Sequence, residues 1–241
     1  MTHFVYVWVK KPAIWQELLH SIRSIQLNFI GEKKIFVVGD NPKIRNVIHV
    51  PCSQITNVKH AKALDSIKKL TKIVNTPQIN DDFVYMYDDI ILLKKTDIKP
   101  FKVILARDYP KKMAEYFKRG HKPSPHWYNT FTKTIRQLKS EGLPVWDYET
   151  HLPRIYNKEK VRAIIDKYNL NESPYLFNTL YFNNYCPAPD TSLIKSPHYK
   201  AEVYHAYKYK YIEKMCFPKL FMNYNNAGLN SELQKFIKDN F

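Results

Sequence analysis

Two adjacent carboxylates interrupt an otherwise apolar run of this chain. Asp88 and Asp89 follow residues 83–87 and precede residues 90–93. Because like charges repel, a carboxylate pair at the end of a buried strand requires a nearby cation or strong hydrogen-bond donors. Mg²⁺ and Mn²⁺ bind carboxylate oxygens and can share the phosphates of a nucleotide. The pair therefore predicts a divalent metal site that holds a diphosphate, although two Asp residues also suit a turn.

A second group of chemically active side chains lies between residues 146 and 154. If this segment is extended, alternation places Asp147, Glu149 and His151 on one side of a strand. Each of the three could take a proton from an acceptor hydroxyl in a transfer reaction. Arg154 could then offset the charge on a departing diphosphate. We predict these four residues as the catalytic group.

The elements that must position these residues alternate in the first half of the chain. Apolar and β-branched runs predict strands, and apolar residues at helical spacing predict helices over 14–25 and 57–74. The predicted strands cover residues 4–9, 34–40, 47–50 and the run from 83 to 93. The resulting order predicts an α/β domain with a mostly parallel sheet, which binds ligands beyond the carboxyl ends of its strands.

The second half is less regular and holds most of the prolines and tyrosines. Tyrosines alternate with basic residues over 204–211, which favours a half-buried strand over a surface that stacks nucleic-acid bases. Basic residues at 111–112 and 118–122 predict a rim over an acidic acceptor. Helices are predicted over 111–119, 127–138, 159–168 and 231–238. We expect one domain over 1–241, with a nucleotide-binding half (1–100) and an acceptor-side half (101–241).

The composition excludes several classes of protein. A hydrophobic fraction of 44% argues against a disordered chain, and the glycines form neither a Walker nor a dinucleotide-binding loop, which excludes P-loop kinases and Rossmann enzymes. Three cysteines at wide spacing predict free thiols. The sequence predicts neither a membrane span nor a secretory signal, so we expect a cytoplasmic protein.

The charge of the chain is strongly positive. The formal net charge is +16 at pH 7, and lysine accounts for most of the excess. Lysine is a flexible point charge that holds phosphates without reading base sequence. The charge therefore predicts a polyanionic partner, although a generic solubilising surface explains it nearly as well.

Four stretches stand out together by their order and spacing: residues 17–25, residues 34–40 with Pro42, residues 47–50 and residues 82–89. Together they resemble the Stealth-like group of sugar-transferring enzymes. The similarity in order and spacing covers roughly residues 3–95, with shorter matches at 151–154 and 221–228. The resemblance implies a GT-A-like fold with an α-rich C-terminal half and a nucleotide-sugar donor. Two positions depart from the family pattern: Tyr87 stands where an Asn is expected before the acidic pair, and Asn226 replaces an acidic residue of the late loop.

The resemblance also bears on the contacts to the donor. It places Arg23 near the nucleotide, so we expect a contact from Arg23 to a donor phosphate; a salt bridge to Asp40 is the alternative. Asp40 suits a ribose or base contact, or a turn. Lys59 could meet a phosphate near the start of its helix, or remain solvated. Together with Asp88, these residues form the predicted donor-binding set.

These observations predict a metal-dependent glycosyltransferase. The enzyme would use Mn²⁺ or Mg²⁺ and move a sugar from a UDP- or GDP-sugar to a polyanionic acceptor. The charge favours a hydroxymethylated base in DNA, which suits a phage-encoded enzyme in the host cytoplasm. The first alternative is transfer of a sugar or sugar phosphate to a cell-surface or capsular glycan. The second is a basic nucleic-acid-binding protein without catalytic activity.

Overall fold

The first half of the chain folds in the predicted order of strands and helices. The computed structural model describes residues 1–10, 15–58, 60–108, 125–186, 188–189 and 199–241. Its first elements are β1 (Thr2–Trp8), α1 (Glu17–Asn28), β2 (Lys33–Gly39), β3 (Ile48–Pro51), α2 (Ala61–Val74), β4 (Asp82–Met86) and β5 (Ile90–Leu92). The predicted strand over 83–93 is divided in two, because a turn at Asp88 and Asp89 separates β4 from β5.

The second half contains most of the helices. A 3₁₀ turn (Lys99–Lys102) is followed by β6 (Arg107–Asp108), α3 (Pro125–Ser140), β7 (Trp146–Asp147), β8 (Arg154–Asn157), α4 (Lys158–Lys167), α5 (Phe177–Tyr185), β9 (Lys200–Val203), α6 (Tyr209–Cys216), β10 (Phe221–Tyr224) and α7 (Ser231–Asn240). The helices predicted over 127–138, 159–168 and 231–238 are confirmed. The helix predicted over 111–119 and the basic rim at 111–122 lie outside the described residues.

The central sheet has five strands in the order β3-β2-β1-β4-β8. Neighbouring strands among the first four are parallel, and β8 is antiparallel to β4. This arrangement confirms the expected mostly parallel sheet. A smaller sheet follows the order β5-β10-β9. Because β8 and β10 come from the second half of the chain, each of these two sheets is built from both halves.

Side chains on the central strands alternate between two apolar layers. Val5 and Phe36 are fully buried on the face that packs against α2, whereas Phe4, Tyr6 and Val37 are fully buried on the face that packs against α1. Burial on both faces explains why these strands read as continuous apolar runs. It also means that polar groups can be presented to a ligand at the strand ends.

The stretch 204–211 and the helix α5 differ from the sequence expectations. The alternating stretch 204–211 is not a strand, since β9 ends at Val203 and α6 begins at Tyr209. The helix α5 was not predicted, because its residues from Asn178 to Asn183 are all buried and show no polar face. A helix that is buried all round lacks the periodicity by which helices are recognised.

Two further findings concern the chain as a whole. Cys52, Cys186 and Cys216 are free thiols, as expected. Within the described ranges, the structure contains no helix with the length and apolar character needed to cross a membrane.

Candidate active site

The acidic pair lies in the turn between β4 and β5. This turn is at the carboxyl end of the central parallel strands, where β1 ends at Trp8 and β2 ends at Gly39. Gly39 has a φ of +134°, and a Cβ there would lie 1.9 Å from the carbonyl oxygen of Trp8. Only glycine therefore allows β1 and β2 to end this close together.

The helix α1 holds the turn through three side chains on one face. Ser21 Oγ donates to the Ile90 carbonyl (2.5 Å), Ser24 Oγ accepts from the Leu92 amide (3.0 Å), and Asn28 Nδ2 donates to the Leu92 carbonyl (2.7 Å). β5 pairs with β10 along its other edge. Within the described residues, the edge of β5 that faces α1 pairs with no strand, and the polar face of α1 provides its hydrogen-bond partners. This anchoring fixes the backbone that immediately follows Asp89.

Two cavities meet at the acidic pair. The larger, of about 820 Å³, is lined by residues that include Trp8, Trp15, Arg23, Arg45 and Asp88. The smaller, of about 390 Å³, is lined by Glu17, Asp88, Asp89, Tyr224, Asn225, Asn226 and Ala227. Asp88 belongs to both, so it stands where the two cavities join. The late polar loop therefore reaches the site although it carries Asn226 in place of an acid.

The glycine of that loop allows its close approach. A Cβ on Gly228 would lie 1.9 Å from the carbonyl oxygen of Val203, at the end of β9. Any larger residue would push the loop away from the strand, and with it Asn225 and Asn226. The sequence position of Gly228 thus has a local steric reason.

The predicted donor-binding residues have different surroundings. Arg23 is exposed, and it lines the larger cavity with Asp88. The carboxylate of Asp40 accepts from the Lys10 amide at 2.7 Å and so joins the ends of β1 and β2. Lys59 lies outside the described residues.

His151 contacts the acidic pair directly. Its Nε2 lies 2.9 Å from both carboxylate oxygens of Asp89. Its ring stacks on Tyr87, with 4.3 Å between the ring centroids and 30° between the planes. Burial raises the pKa of the Tyr87 hydroxyl to about 12, and nearby Glu149 adds to the increase. Tyr87 therefore remains neutral, and its ring packs against the imidazole.

The expectation that Asp147, Glu149 and His151 share one face of a strand is wrong. β7 ends at Asp147, the Asp147 carboxylate accepts from the Glu149 amide, and His151 has a left-handed φ of +49°. Asp147 is fully buried. Glu149 instead faces the first turn of α5, where it accepts from the Asn178 side chain and the Thr179 amide. A carboxylate at a helix N-terminus is stabilising, although burial and the neighbouring Asp147 raise the pKa of Glu149.

Arg154 is buried and its guanidinium contacts the protein itself. It donates to the carbonyls of Tyr148 (2.6 Å) and Leu105 (3.5 Å) and to the Thr150 hydroxyl. The guanidinium carbon lies 5.1 Å from the centre of the Phe182 ring. These contacts hold the loop between β7 and β8, which delivers His151 to Asp89.

Asp88 and Asp89 are suited to a metal ion shared with a substrate. Among the residues that the structure describes, no group of three or more His, Cys, Asp or Glu side chains forms a metal site. The pair nevertheless places two carboxylates beside the same cavity. Hard divalent ions commonly take one or two protein carboxylates and complete their shell with water and substrate phosphates. The residues present therefore fit Mn²⁺ or Mg²⁺ bound together with a diphosphate.

Several contributors to the site were missed in the sequence, and Glu17 and Lys200 are two of them. Glu17, the first residue of α1, lines both cavities, and Lys200 on β9 reaches the carbonyls next to His151. An acidic residue in the first turn of a helix is common and gave no functional signal. Lys200 was one of many lysines, and only the packing of β9 against the His151 loop distinguishes it.

Comparison with solved structures places this architecture among known folds. The galactosyltransferase LgtC in complex with donor and acceptor sugar analogs aligns over 99% of this chain and 96% of its own, with 9% identity and a TM-score of 0.53. The chain has a GT-A-like fold. An active-site mutant of LgtC gives the same result, with 98% and 94% coverage, 8% identity and a TM-score of 0.52. At this sequence identity, the property that this chain and LgtC share is the GT-A-like fold.

No protein-family model and no curated protein matches the chain by sequence. The Stealth-like resemblance therefore stays a prediction, whereas the GT-A-like fold that it implied is confirmed.

Proposed function

We propose that this chain is a glycosyltransferase that uses a nucleotide-sugar donor. The observation that carries the proposal is the turn of Asp88 and Asp89 beside a large cavity, at the strand edge where open α/β sheets bind their ligands. The likeness to LgtC over nearly the full length of both chains supports this reaction class.

We assign the nucleoside diphosphate of the donor to the larger cavity. Trp8 in its lining offers an indole ring for a base, and Arg23 and Arg45 offer guanidinium groups for phosphate oxygens. Guanidinium groups match phosphates because their donors form a planar fork. A UDP- or GDP-sugar bound in this way would place its diphosphate towards Asp88.

Asp88 and Asp89 would hold Mn²⁺ or Mg²⁺ on that diphosphate. When bound, the ion offsets the negative charge that develops on the leaving diphosphate. The protein supplies fixed positions for the two carboxylates. Ser21 and Ser24 anchor the backbone that follows the turn, and His151 holds the side chain of Asp89.

His151 is the member of the predicted catalytic group that contacts the acidic pair. Its side chain is 40% exposed, so its imidazole can meet the hydroxyl of an acceptor. Because the Nε2 proton is directed at Asp89, Nδ1 is the nitrogen that would accept the proton of that hydroxyl. Asp147, Glu149 and Arg154 are engaged with the protein backbone and with α5. We assign these three residues to the support of the loop that carries His151.

The acceptor is the least constrained part of the reaction. The net charge of +16 supports a polyanion, and a hydroxymethylated base in DNA is the acceptor that we favour. A glycan acceptor is the second candidate, because the LgtC structure contains an acceptor sugar analog on the same fold.

Thermal unfolding with candidate donor products tests the proposal. We expect UDP, GDP or CDP to raise the melting temperature only when Mn²⁺ is present, since a ligand that binds only the folded state stabilises it by mass action. At a concentration of about 100 times Kd, the stabilisation is about 2.7 kcal/mol.

Asp89→Asn should abolish the Mn²⁺-dependent increase. Asp97→Asn is the matched control, because Asp97 is an exposed acid that pairs with Lys99 away from the site. An increase of equal size in wild type and Asp89→Asn, or no increase with any diphosphate, would contradict the proposed function.

A further inference from the structure

Lys200 is a largely buried lysine to which the proposed reaction gives no role. Its side chain is 11% exposed, and its Nζ lies 2.8 Å from a carboxylate oxygen of Glu202. The same Nζ donates to the carbonyl of Thr150 at 2.9 Å and approaches the carbonyl of His151 at 3.5 Å. Burial of an ammonium group is costly unless such partners compensate it. The position of Lys200 thus depends on the loop that it contacts.

The loop contacted by Lys200 has an unfavourable backbone conformation. His151 has a φ of +49°, in the left-handed region that residues other than glycine rarely adopt. Such a conformation is strained and persists only where the surroundings impose it. The two carbonyls that Lys200 binds belong to Thr150 and to His151 itself. Lys200 is therefore placed to impose the left-handed turn.

The turn decides where the imidazole points. With this backbone, His151 stacks on Tyr87 and brings Nε2 to 2.9 Å from both oxygens of Asp89. A more ordinary φ would rotate the side chain away from Asp89. The contacts thus run from Lys200 through two carbonyl groups to His151, and from there to Asp89.

We propose that Lys200 is a positioning residue that orients the His151 imidazole towards Asp89. The geometric part of this inference depends only on the contacts above, and its effect on ligand binding rests on the proposed function. Glu202 and Asp89 face the ammonium as anions, and Arg107 is the cation near it. The carbonyl contacts, rather than the ion pair, carry the positioning.

Lys200→Met tests the geometric part, because methionine keeps much of the side-chain volume and removes all three donors. The readout is the Nε2 proton of His151 in ¹⁵N-histidine NMR spectra, assigned by its absence in His151→Ala. We expect a protected signal in wild type and its loss in Lys200→Met. Lys210→Met, at an exposed position on α6, is the matched control and should retain the signal.

A second variant covers the case in which Lys200→Met does not fold. Glu202→Gln removes the ion pair and leaves the amine able to donate to both carbonyls. We expect Glu202→Gln to retain the His151 signal. Retention of the signal in Lys200→Met, or its loss in Glu202→Gln, would overturn the inference.

A double-mutant cycle distinguishes positioning from a merely structural role. Loss of a group that orients a metal-site side chain typically weakens binding by about tenfold. We expect Lys200→Met to reduce the affinity for UDP, GDP or CDP with Mn²⁺ by about this factor in wild type, and to have little effect in His151→Ala. Equal losses in both backgrounds would overturn the role. If wild type binds none of these diphosphates, the proposed function fails, and the NMR result still decides whether Lys200 orients His151.

Discussion

At the scale of single residues, the site depends on which charged groups are occupied by the protein and which face a cavity. Arg154 is buried against carbonyl groups, whereas Arg23 is exposed in the lining of the larger cavity. Both are arginines predicted to meet a phosphate. Only Arg23 retains a guanidinium that a ligand can reach.

Arg23→Ala should therefore weaken the binding of a nucleoside diphosphate. The loss of a hydrogen bond to a charged group costs about 1.5–3 kcal/mol, which corresponds to at least a tenfold rise in Kd. Isothermal titration with UDP, GDP or CDP in the presence of Mn²⁺ measures the change. Lys34→Ala is the control, since Lys34 is exposed on β2 and outside the cavity lining. An unchanged Kd in Arg23→Ala would remove Arg23 from the donor site.

At the scale of elements, side chains of α1 form hydrogen bonds with backbone groups of β5. Ser24 Oγ accepts from the Leu92 amide and donates to the Ser21 carbonyl. Ser21 and Ser24 are both buried. The same contacts place the turn of Asp88 and Asp89. Stability and site geometry are therefore coupled through one helix face.

Ser24→Ala should destabilise the fold by about 1–3 kcal/mol, because it leaves the buried Leu92 amide without its acceptor. Chemical denaturation measures the free energy of unfolding. Ser66→Ala is the matched control on α2, where an exposed hydroxyl only donates to the Lys62 carbonyl. This control should change stability by less than about 0.5 kcal/mol. Equal effects of both substitutions would show that the contact with β5 is unimportant.

Glu141, which directly follows α3, contacts α4 and predicts how the stability of the fold depends on pH. Its carboxylate accepts from Lys167 Nζ (2.6 Å) and the Tyr168 hydroxyl (2.8 Å), and Gln137 also donates to it. Burial alone would raise the pKa of Glu141, but these donors lower it below the ordinary 4.5. A carboxylate with a lowered folded pKa stabilises the fold above 4.5, and this contribution is lost as pH falls through the folded pKa.

Glu141→Gln should consequently be less stable than wild type at neutral pH, and the difference should shrink as the pH falls below 4.5. Because Lys167 is partly exposed, we expect a modest difference of about 1 kcal/mol at most. Urea denaturation of both proteins over this pH range measures it. A difference that stays constant with pH would contradict the assignment of the titrating group.

At the scale of the whole molecule, the lysine-rich surface and the acidic pair make separate predictions. If several lysines contact phosphates, the affinity for duplex DNA should fall steeply with salt, because each contact releases counterions. With about six contacts the loss is about a thousandfold between 50 and 200 mM salt. Fluorescence anisotropy with a labelled duplex measures the slope.

Asp89→Asn serves as the internal comparison for that experiment. It should leave DNA affinity nearly unchanged while it abolishes Mn²⁺-dependent diphosphate binding. Weak DNA binding without salt dependence would favour the glycan acceptor, and the charge would then act as a solubilising surface. Salt-dependent DNA binding by a protein that binds no diphosphate would favour the non-enzymatic alternative.

The sequence by itself determined the architecture of the first half and the location of the acidic pair. Strands such as β1 and β2 can be predicted from the sequence because burial on both faces requires continuous apolar residues. A parallel sheet then brings their carboxyl ends to one edge. Asp88 and Asp89 can be recognised in the sequence as site residues because a charged group next to buried strands is costly. These features depend on neighbouring residues and on simple periodicity.

Only the tertiary structure decided which other polar side chains belong to the site. His151 reaches Asp89 across 62 positions of sequence, and Lys200 reaches the His151 loop across a further 49. Asp147 and Arg154, which looked equally suitable in sequence, are buried in the protein interior. Whether a titratable group is exposed, paired or buried depends on long-range packing, which no local pattern records.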